Sequence, residues 1–189
     1  MNTVTRTVVL TLGLIAAVGA PPNARQSAPA PLRVVAEVDY TRYAGRWYEV
    51  ARLPNRFEDK CIGNITATYA PRNDGRIDVT NRCLETGNKV NVAKGVARRV
   101  QGQPTSVLQV RFAPAWLSFL SAVWGDYRII SLAPDYSHTV VGSEDRKYLW
   151  VLARTPALDE STYRTLLSNA KAQGFDVSRI IKPRHGIPE

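Results

Sequence analysis

The chain has 189 residues, 44% of them hydrophobic and 22% charged, with a formal net charge of +9 at neutral pH. That composition excludes a disordered chain and gives one ordinary domain enough apolar material for a core. Two histidines and two cysteines are a poor set for a metal centre, and no cofactor is expected.

Arg6 precedes the apolar run 8–20 (VVLTLGLIAAVGA), which has the charged and hydrophobic regions of a secretory signal. The run is short of the about 20 residues a bilayer-spanning anchor needs. A signal peptide over residues 1–20 is expected, with cleavage after Gly19 or Ala20. Residues 21–37, opening on a stretch rich in Pro, Ala and Ser, read as a flexible lead-in, and 38–189 as the folded domain. Cleavage removes Arg6 and no acid, so the mature chain stays strongly basic. In an exported protein this suits anionic head groups. The cations are scattered beyond Arg98-Arg99, which argues against a nucleic-acid partner.

Residues 38–44 read as a helical turn plugging one end of the domain. The first strand is expected over 47–53, where Gly45 turns tightly into Trp47 and Pro54 ends the ladder. Strands come next over 62–70, 76–83 and 89–100, with Asn73-Asp74-Gly75 as a tight hairpin. Leu108, Val110 and Phe112 then alternate with Gln109 and Arg111. Further strands are expected over 126–132, 137–142 and 148–154, eight in all, at the spacing of a sandwich or barrel. The period then changes: Tyr163, Leu166, Leu167 and Ala170 form one stripe of a helix capped by Asp159 and ended by Gly174. Ile180-Ile181 suggests a short final strand.

Export permits a bridge between Cys61 and Cys83, with two buried thiols as the alternative. A two-residue turn at Asp74-Gly75 would place Cys83 opposite Thr66, too far from Cys61. The bridge therefore requires a bulge, a different turn or a fold-back of Cys61.

Catalytic signals are sparse. There is no nucleophile elbow, phosphate-binding glycine loop or His-Glu-x-x-His, and Glu49, Glu58 and Asp126 read as solvated or paired carboxylates. Alternation places Tyr148, Trp150, Leu152 and Arg154 on one face. It places Leu108, Val110 and Phe112 on another and, with Arg128 kept out of an apolar space, Tyr127, Ile129 and Ser131 on a third. The alternative for that strand is Arg128, Ile130 and Leu132. Plain core filling is the competing reading for every one of these side chains. A cavity so lined suits an acyl chain, with a phosphate or carboxylate meeting Arg or Lys at the rim.

Gly45-Arg46-Trp47-Tyr48-Glu49, then Asp135-Tyr136, then Arg154-Thr155-Pro156 resemble the three signature regions of the lipocalins, in order. The words Glu49-Val50-Ala51-Arg52-Leu53-Pro54, Arg56-Phe57-Glu58 and Tyr148-Leu149-Trp150 resemble the bacterial lipocalins of outer-membrane lipoprotein type and, more distantly, the apolipoprotein D group. The resemblance covers 38–182. It selects, between sandwich and barrel, an all-β, eight-stranded antiparallel up-and-down barrel with one C-terminal α-helix packed outside. It also implies a structural signature of Gly45, Trp47, Asp135, Tyr136 and Arg154, with Arg154 covering Trp47 at a closed base. The lipoprotein members carry a lipid-attachment Cys after the apolar run; 14–20 contains none, and no lipid anchor is expected.

The implied function is non-catalytic storage or transport of a fatty acid or lysophospholipid, in the periplasm or at the outer-membrane periphery. The expected ligand contacts are Leu108, Val110, Phe112, Tyr127, Ile129, Tyr148, Trp150 and Leu152. The alternatives are a lipid-modifying isomerase or de-epoxidase of the same fold, or an envelope interaction module. A monomer or weak homodimer is expected. The uncharged loop 113–125 carries Trp116, Leu117, Phe119, Leu120 and Trp124 at the open mouth. It reads either as a lid or packing element, or as a membrane-docking loop beside Arg56, Lys60 and Lys147 that makes peripheral contact with anionic lipid.

Overall fold

Gly45 adopts φ +92° and carries the chain from a short helix, α1 (Tyr40–Tyr43), into the first strand, β1 (Gly45–Arg52). Asp39 starts α1 by accepting from the backbone N–H groups of Thr41 and Arg42. The computed structural model describes residues 30–188; the expected signal peptide and the lead-in up to residue 29 lie outside the described residues. The remaining strands are β2 (Cys61–Pro71), β3 (Ile77–Glu85), β4 (Lys89–Arg99), β5 (Val107–Arg111), β6 (Gly125–Leu132), β7 (His138–Gly142) and β8 (Leu149–Ala153). Each pairs antiparallel with the next, and β8 returns to β1, so the sheet closes into the expected eight-stranded barrel. Helix α2 (Glu160–Ala172) lies outside, with Asp159 accepting from the N–H of Thr162 at its start.

Period-two alternation divides the apolar side chains between two cores. Trp47, Tyr69, Val79, Leu108, Ile129 and Leu152 meet inside the barrel. Ala51, Val140, Leu149 and Val151 point outward and bury against Tyr163, Leu166 and Ala170 of α2. Two bulges exchange the faces partway along a strand. The register of β1 slips between Glu49 and Ala51, so Glu49 and Arg52 both face inward while Ala51 joins the outer core. A slip between Ile129 and Ser131 does the same in β6: Leu132 continues the inward row and Ser131, expected inside, lines the outer wall beside Ile130.

The cysteines are bridged, with Cα atoms 5.6 Å apart. Two departures from the simple hairpin allow this. Pro71 pairs with Ile77, so the turn spans five residues, and β2 bulges twice, bringing Gly63 opposite Leu84 and Cys61 opposite Glu85. Asn64, inside the second bulge, takes the left-handed conformation with φ 51°.

Both ends of the domain are tied to the barrel. Of the stretch 21–37, the described part is tied down: Leu32 is buried and the Val35 N–H donates to the Ile129 carbonyl at 3.0 Å. Beyond α2 the expected final strand is a single bridge, Arg52 to Ile181; the tail then crosses β2, where Gly63 bridges Arg184.

Candidate ligand-binding lumen

At one end the barrel is sealed by the residues just after Gly45. Trp47 is fully buried and its indole N–H donates to the Tyr43 carbonyl at 2.8 Å. The Arg154 guanidinium lies 3.8 Å from the Trp47 ring and donates to the carbonyls of Arg42 (2.7 Å), Arg46 (2.9 Å) and Tyr136 (3.3 Å). One side chain thus joins α1, β1, the β6–β7 turn and β8. Asp135 steadies that turn by accepting from the Ser137 N–H, and the Tyr136 hydroxyl accepts from the Asp39 N–H. Burial beneath this seal holds three phenols together: the Tyr43 and Tyr127 hydroxyls are 2.9 Å apart, and Tyr127 donates to Tyr69 at 2.9 Å. Burial pushes Tyr69 up to about 12 and raises Tyr43 and Tyr127 well above the ordinary phenol range, so all three stay neutral.

Towards the mouth, the lumen holds a buried ionic cluster. Arg52 donates to Glu49 at 3.0 Å, and its Nε lies 3.2 Å from Glu58 Oε2 without the alignment of a hydrogen bond. The same Glu58 oxygen accepts from Asn55 at 2.7 Å and from the Trp150 indole at 3.4 Å. Burial raises the Glu49 carboxyl well above the ordinary range, the Glu58 charge adds to this, and Arg52 opposes it. Alternation from Trp47 points Glu49 inward in the sequence itself; Arg52 is hidden there by the bulge and Glu58 by its place in a loop. Asp126 lies apart from this cluster, accepting from Arg128 at 2.9 Å and from the Glu144 N–H at 2.7 Å.

The eight expected contact residues separate by depth. Leu108, Tyr127, Ile129 and Leu152 are buried in the barrel core. Val110 and Trp150 pack partly buried against that core, and Tyr148 stacks on Trp150 with ring centres 5.8 Å apart and planes 10° from parallel. Phe112 is exposed and lies over Gly95, where a Cβ would come within 2.7 Å of its ring, so the absence of a side chain makes room for the phenyl group. Asn91 and Ala93, on the same row as Gly95 and the inward Ala97, are exposed. The lumen is therefore open to solvent along β4. Asn81, paired with Ala93 and Ala67, has a buried side-chain oxygen with no hydrogen-bond partner among the described residues.

The loop between β5 and β6 forms two 3-10 turns, Ala115–Leu117 and Ser121–Val123. Its aromatic residues part company. The Trp124 indole donates to the Ser118 carbonyl at 2.8 Å, and its ring lies 3.8 Å from the Arg98 guanidinium and 5.2 Å from that of Arg111, both on the outward row. Trp116 and Phe119 are 72% and 77% exposed, Leu120 is exposed and Leu117 half-buried. Across the mouth, Phe57 is 62% exposed and contacts Tyr148, and Arg56, Lys60 and Lys147 are exposed nearby in sequence.

A closed eight-stranded sheet, sealed below by Trp47 and Arg154 and open above beside aromatic and aliphatic walls, is a cup of the kind that holds one small apolar ligand. The chain belongs to the lipocalin family: the family model for a lipocalin-like domain matches residues 38–185. Members of that family typically bind small hydrophobic ligands. The outer membrane lipoprotein Blc of Escherichia coli is 36% identical over 158 residues, covering 82% of this chain and 85% of that protein. Temperature-induced lipocalin-1 of Arabidopsis thaliana is 35% identical over 159 residues, covering 83% of this chain and 85% of its own length. Among solved structures, insecticyanin from Manduca sexta superposes with a TM-score of 0.62 at 18% identity, over 84% of this chain and 87% of that one, a likeness of fold.

Proposed function

We propose that this lipocalin stores or carries a single-chain lipid, a fatty acid or lysophospholipid, in the cell envelope and does so without catalysis. The observation that carries this reading is the accessible inward row of β4, with exposed Asn91 and Ala93, facing a lumen that ends on buried Leu108, Ile129 and Leu152. An acyl chain entering there reaches apolar side chains, while Trp150 and Tyr148 give it aromatic surface near the mouth. The thiols and lumen carboxylates that a catalytic reading would draw on are engaged: Cys61 and Cys83 are bridged, and Glu49 and Glu58 are occupied by Arg52, Asn55 and Trp150. A periplasmic or outer-membrane-peripheral location accords with the similarity to an outer membrane lipoprotein.

In this reading the exposed Trp116, Phe119, Leu120 and Phe57 enter the head-group region of an anionic bilayer while Arg56, Lys60 and Lys147 meet its surface. Trp124 instead braces the loop against the barrel wall. The test is mass spectrometry of an organic extract from gently purified protein. One lipid species per chain is expected. An extract with no amphiphile, from protein that also fails to bind added fatty acid or lysophospholipid, would end this reading.

A further inference from the structure

Among the described residues, four buried side-chain polar atoms lack a hydrogen-bond partner: Arg52 Nε, Arg111 Nε, Glu144 Oε2 and Asn81 Oδ1. Three of them have an electrostatic substitute. Arg52 Nε lies 3.2 Å from Glu58 and Glu144 Oε2 lies 3.3 Å from Arg128 Nε; the Arg111 guanidinium faces the Trp124 ring at 5.2 Å and donates to the Ala113 carbonyl. The Asn81 oxygen has no such substitute among the described residues.

Its surroundings explain why. Asn81 stands at the centre of β3, on the inward row between buried Val79 and the bridged Cys83. The cross-strand neighbours, Ala67 on β2 and Ala93 on β4, carry no polar side-chain atom. The polar side chains diagonal to it on the same face are already committed: the Asn91 amide donates to Glu85 at 2.5 Å, and the Tyr69 hydroxyl accepts from Tyr127 towards the base. A partner for Asn81 must therefore come from the contents of the lumen. The residue is half-buried and lies beside exposed Ala93, so a molecule entering along β4 reaches its amide.

An amide set in an apolar wall discriminates between ligands: it penalises a bare methylene and rewards a group that completes its hydrogen bond. A hydroxyl both donates and accepts, so it satisfies the amide whichever way the last torsion turns. We propose that Asn81 is a specificity-determining residue of the lumen, which selects a single-chain lipid hydroxylated partway along its acyl chain over the unsubstituted chain. This inference rests on the proposed binding of lipid in the lumen. The height of Asn81 fixes where the hydroxyl lies. From Glu85 at the mouth end of β3, Asn81 is four residues down, about 13 Å along the strand and about 10 Å in depth once strand tilt is included. A carboxyl or head group held at the rim brings the middle of a long acyl chain, and not its first carbons, to the amide.

Wild type and Asn81→Leu, a substitution of similar size, are each titrated with stearic acid, 10-hydroxystearic acid and 2-hydroxystearic acid below micelle formation. Wild type should bind the 10-hydroxy acid at least as tightly as stearic acid, whereas a hydroxyl buried without a partner would weaken binding. In Asn81→Leu the affinity for the 10-hydroxy acid relative to stearic acid should fall about tenfold or more, as loss of a buried hydrogen-bond partner dictates. The affinity for the 2-hydroxy acid relative to stearic acid should change less than about twofold, because that hydroxyl stays at the rim. Asn81→Leu should also melt no lower than wild type, since it removes an unsatisfied group from the wall. A lower Tm would give Asn81 a structural partner and overturn the proposal, as would weaker binding of the 10-hydroxy acid than of stearic acid by wild type, or an equal fall for both hydroxy acids in the variant. Binding of all three acids with the same relative affinities in both proteins overturns this proposal and leaves the lumen reading standing. If wild type binds none of the three, the lumen reading fails and this proposal falls with it.

Discussion

The two ends of the barrel are built on opposite principles. At the base the donors of the seal are spent: Arg154 serves three carbonyls and the Trp47 ring, and the Trp47 indole serves the Tyr43 carbonyl. At the mouth, Phe57, Phe112, Trp116 and Phe119 are exposed, as are Arg56 and Lys60. Stability is concentrated at the base and binding capacity at the mouth. Satisfied, buried groups stabilise the closed sheet, whereas unsatisfied apolar surface and charge are tolerated only where something else can cover them.

The largest losses of stability are expected at the base. Trp47→Ala should cost about 3–5 kcal/mol, as large aromatic truncations in cores do. Arg154→Ala should also destabilise, because it orphans carbonyls as well as uncovering the indole. In a double-mutant cycle the two losses should be markedly sub-additive, since each removes the same stack; strict additivity in denaturant titrations would show that the two residues act independently. Reduction of the Cys61–Cys83 bridge comes next. It closes a separation of 22 residues, for which chain entropy gives roughly 3 kcal/mol, or roughly 10 °C in a domain of this size. Calorimetry with and without reductant checks this, and an unchanged Tm would show that the bridge adds nothing to the mouth end of β2 and β3.

Glu49 makes stability depend on pH. Its folded-state pKa is raised by burial and by Glu58, so the native state holds that proton more tightly than the unfolded chain does. The stability contributed is full below the ordinary glutamate range and is lost as pH rises through the raised value. Glu49→Gln, which keeps the hydrogen bond but not the titration, should therefore gain stability relative to wild type as pH increases above that range. A stability difference that is flat with pH would assign the cost elsewhere. The smallest effect on stability belongs to the mouth. Trp116→Ser should change unfolding free energy by no more than about 0.5 kcal/mol, and adding Leu117→Ser, at a half-buried position, by about 1 kcal/mol at most. The double substitution should nevertheless reduce co-sedimentation with anionic liposomes at low salt; equal binding would make the loop a packing element.

Most of the barrel was legible because its strands alternate cleanly and its turns carry Gly, Asn and Pro. Asp159 and Gly174 likewise bracket α2 as their side-chain chemistry suggests. What escaped was the consequence of single inserted residues. A bulge reverses every later side chain of a strand, so Arg52 entered the lumen and Leu132 replaced Ser131 on the inward row. The bulges of β2 and the five-residue turn also resolved the apparent mismatch between Cys61 and Cys83. Contacts between distant segments were equally hidden: nothing local to Trp124 announces Arg98, and nothing in 32–38 announces the wall it covers.

The claim that the lumen is the ligand site is tested most directly by native mass spectrometry of the leaderless protein with a lysophospholipid. Ala93 provides the control, because it lies on the inward row yet is exposed, so Ala93→Trp fills the open lumen without disturbing a packed core. One lipid should be retained per wild-type chain and almost none by Ala93→Trp, with the two proteins melting at similar temperatures. Equal retention by both would place the lipid outside the barrel and contradict the account.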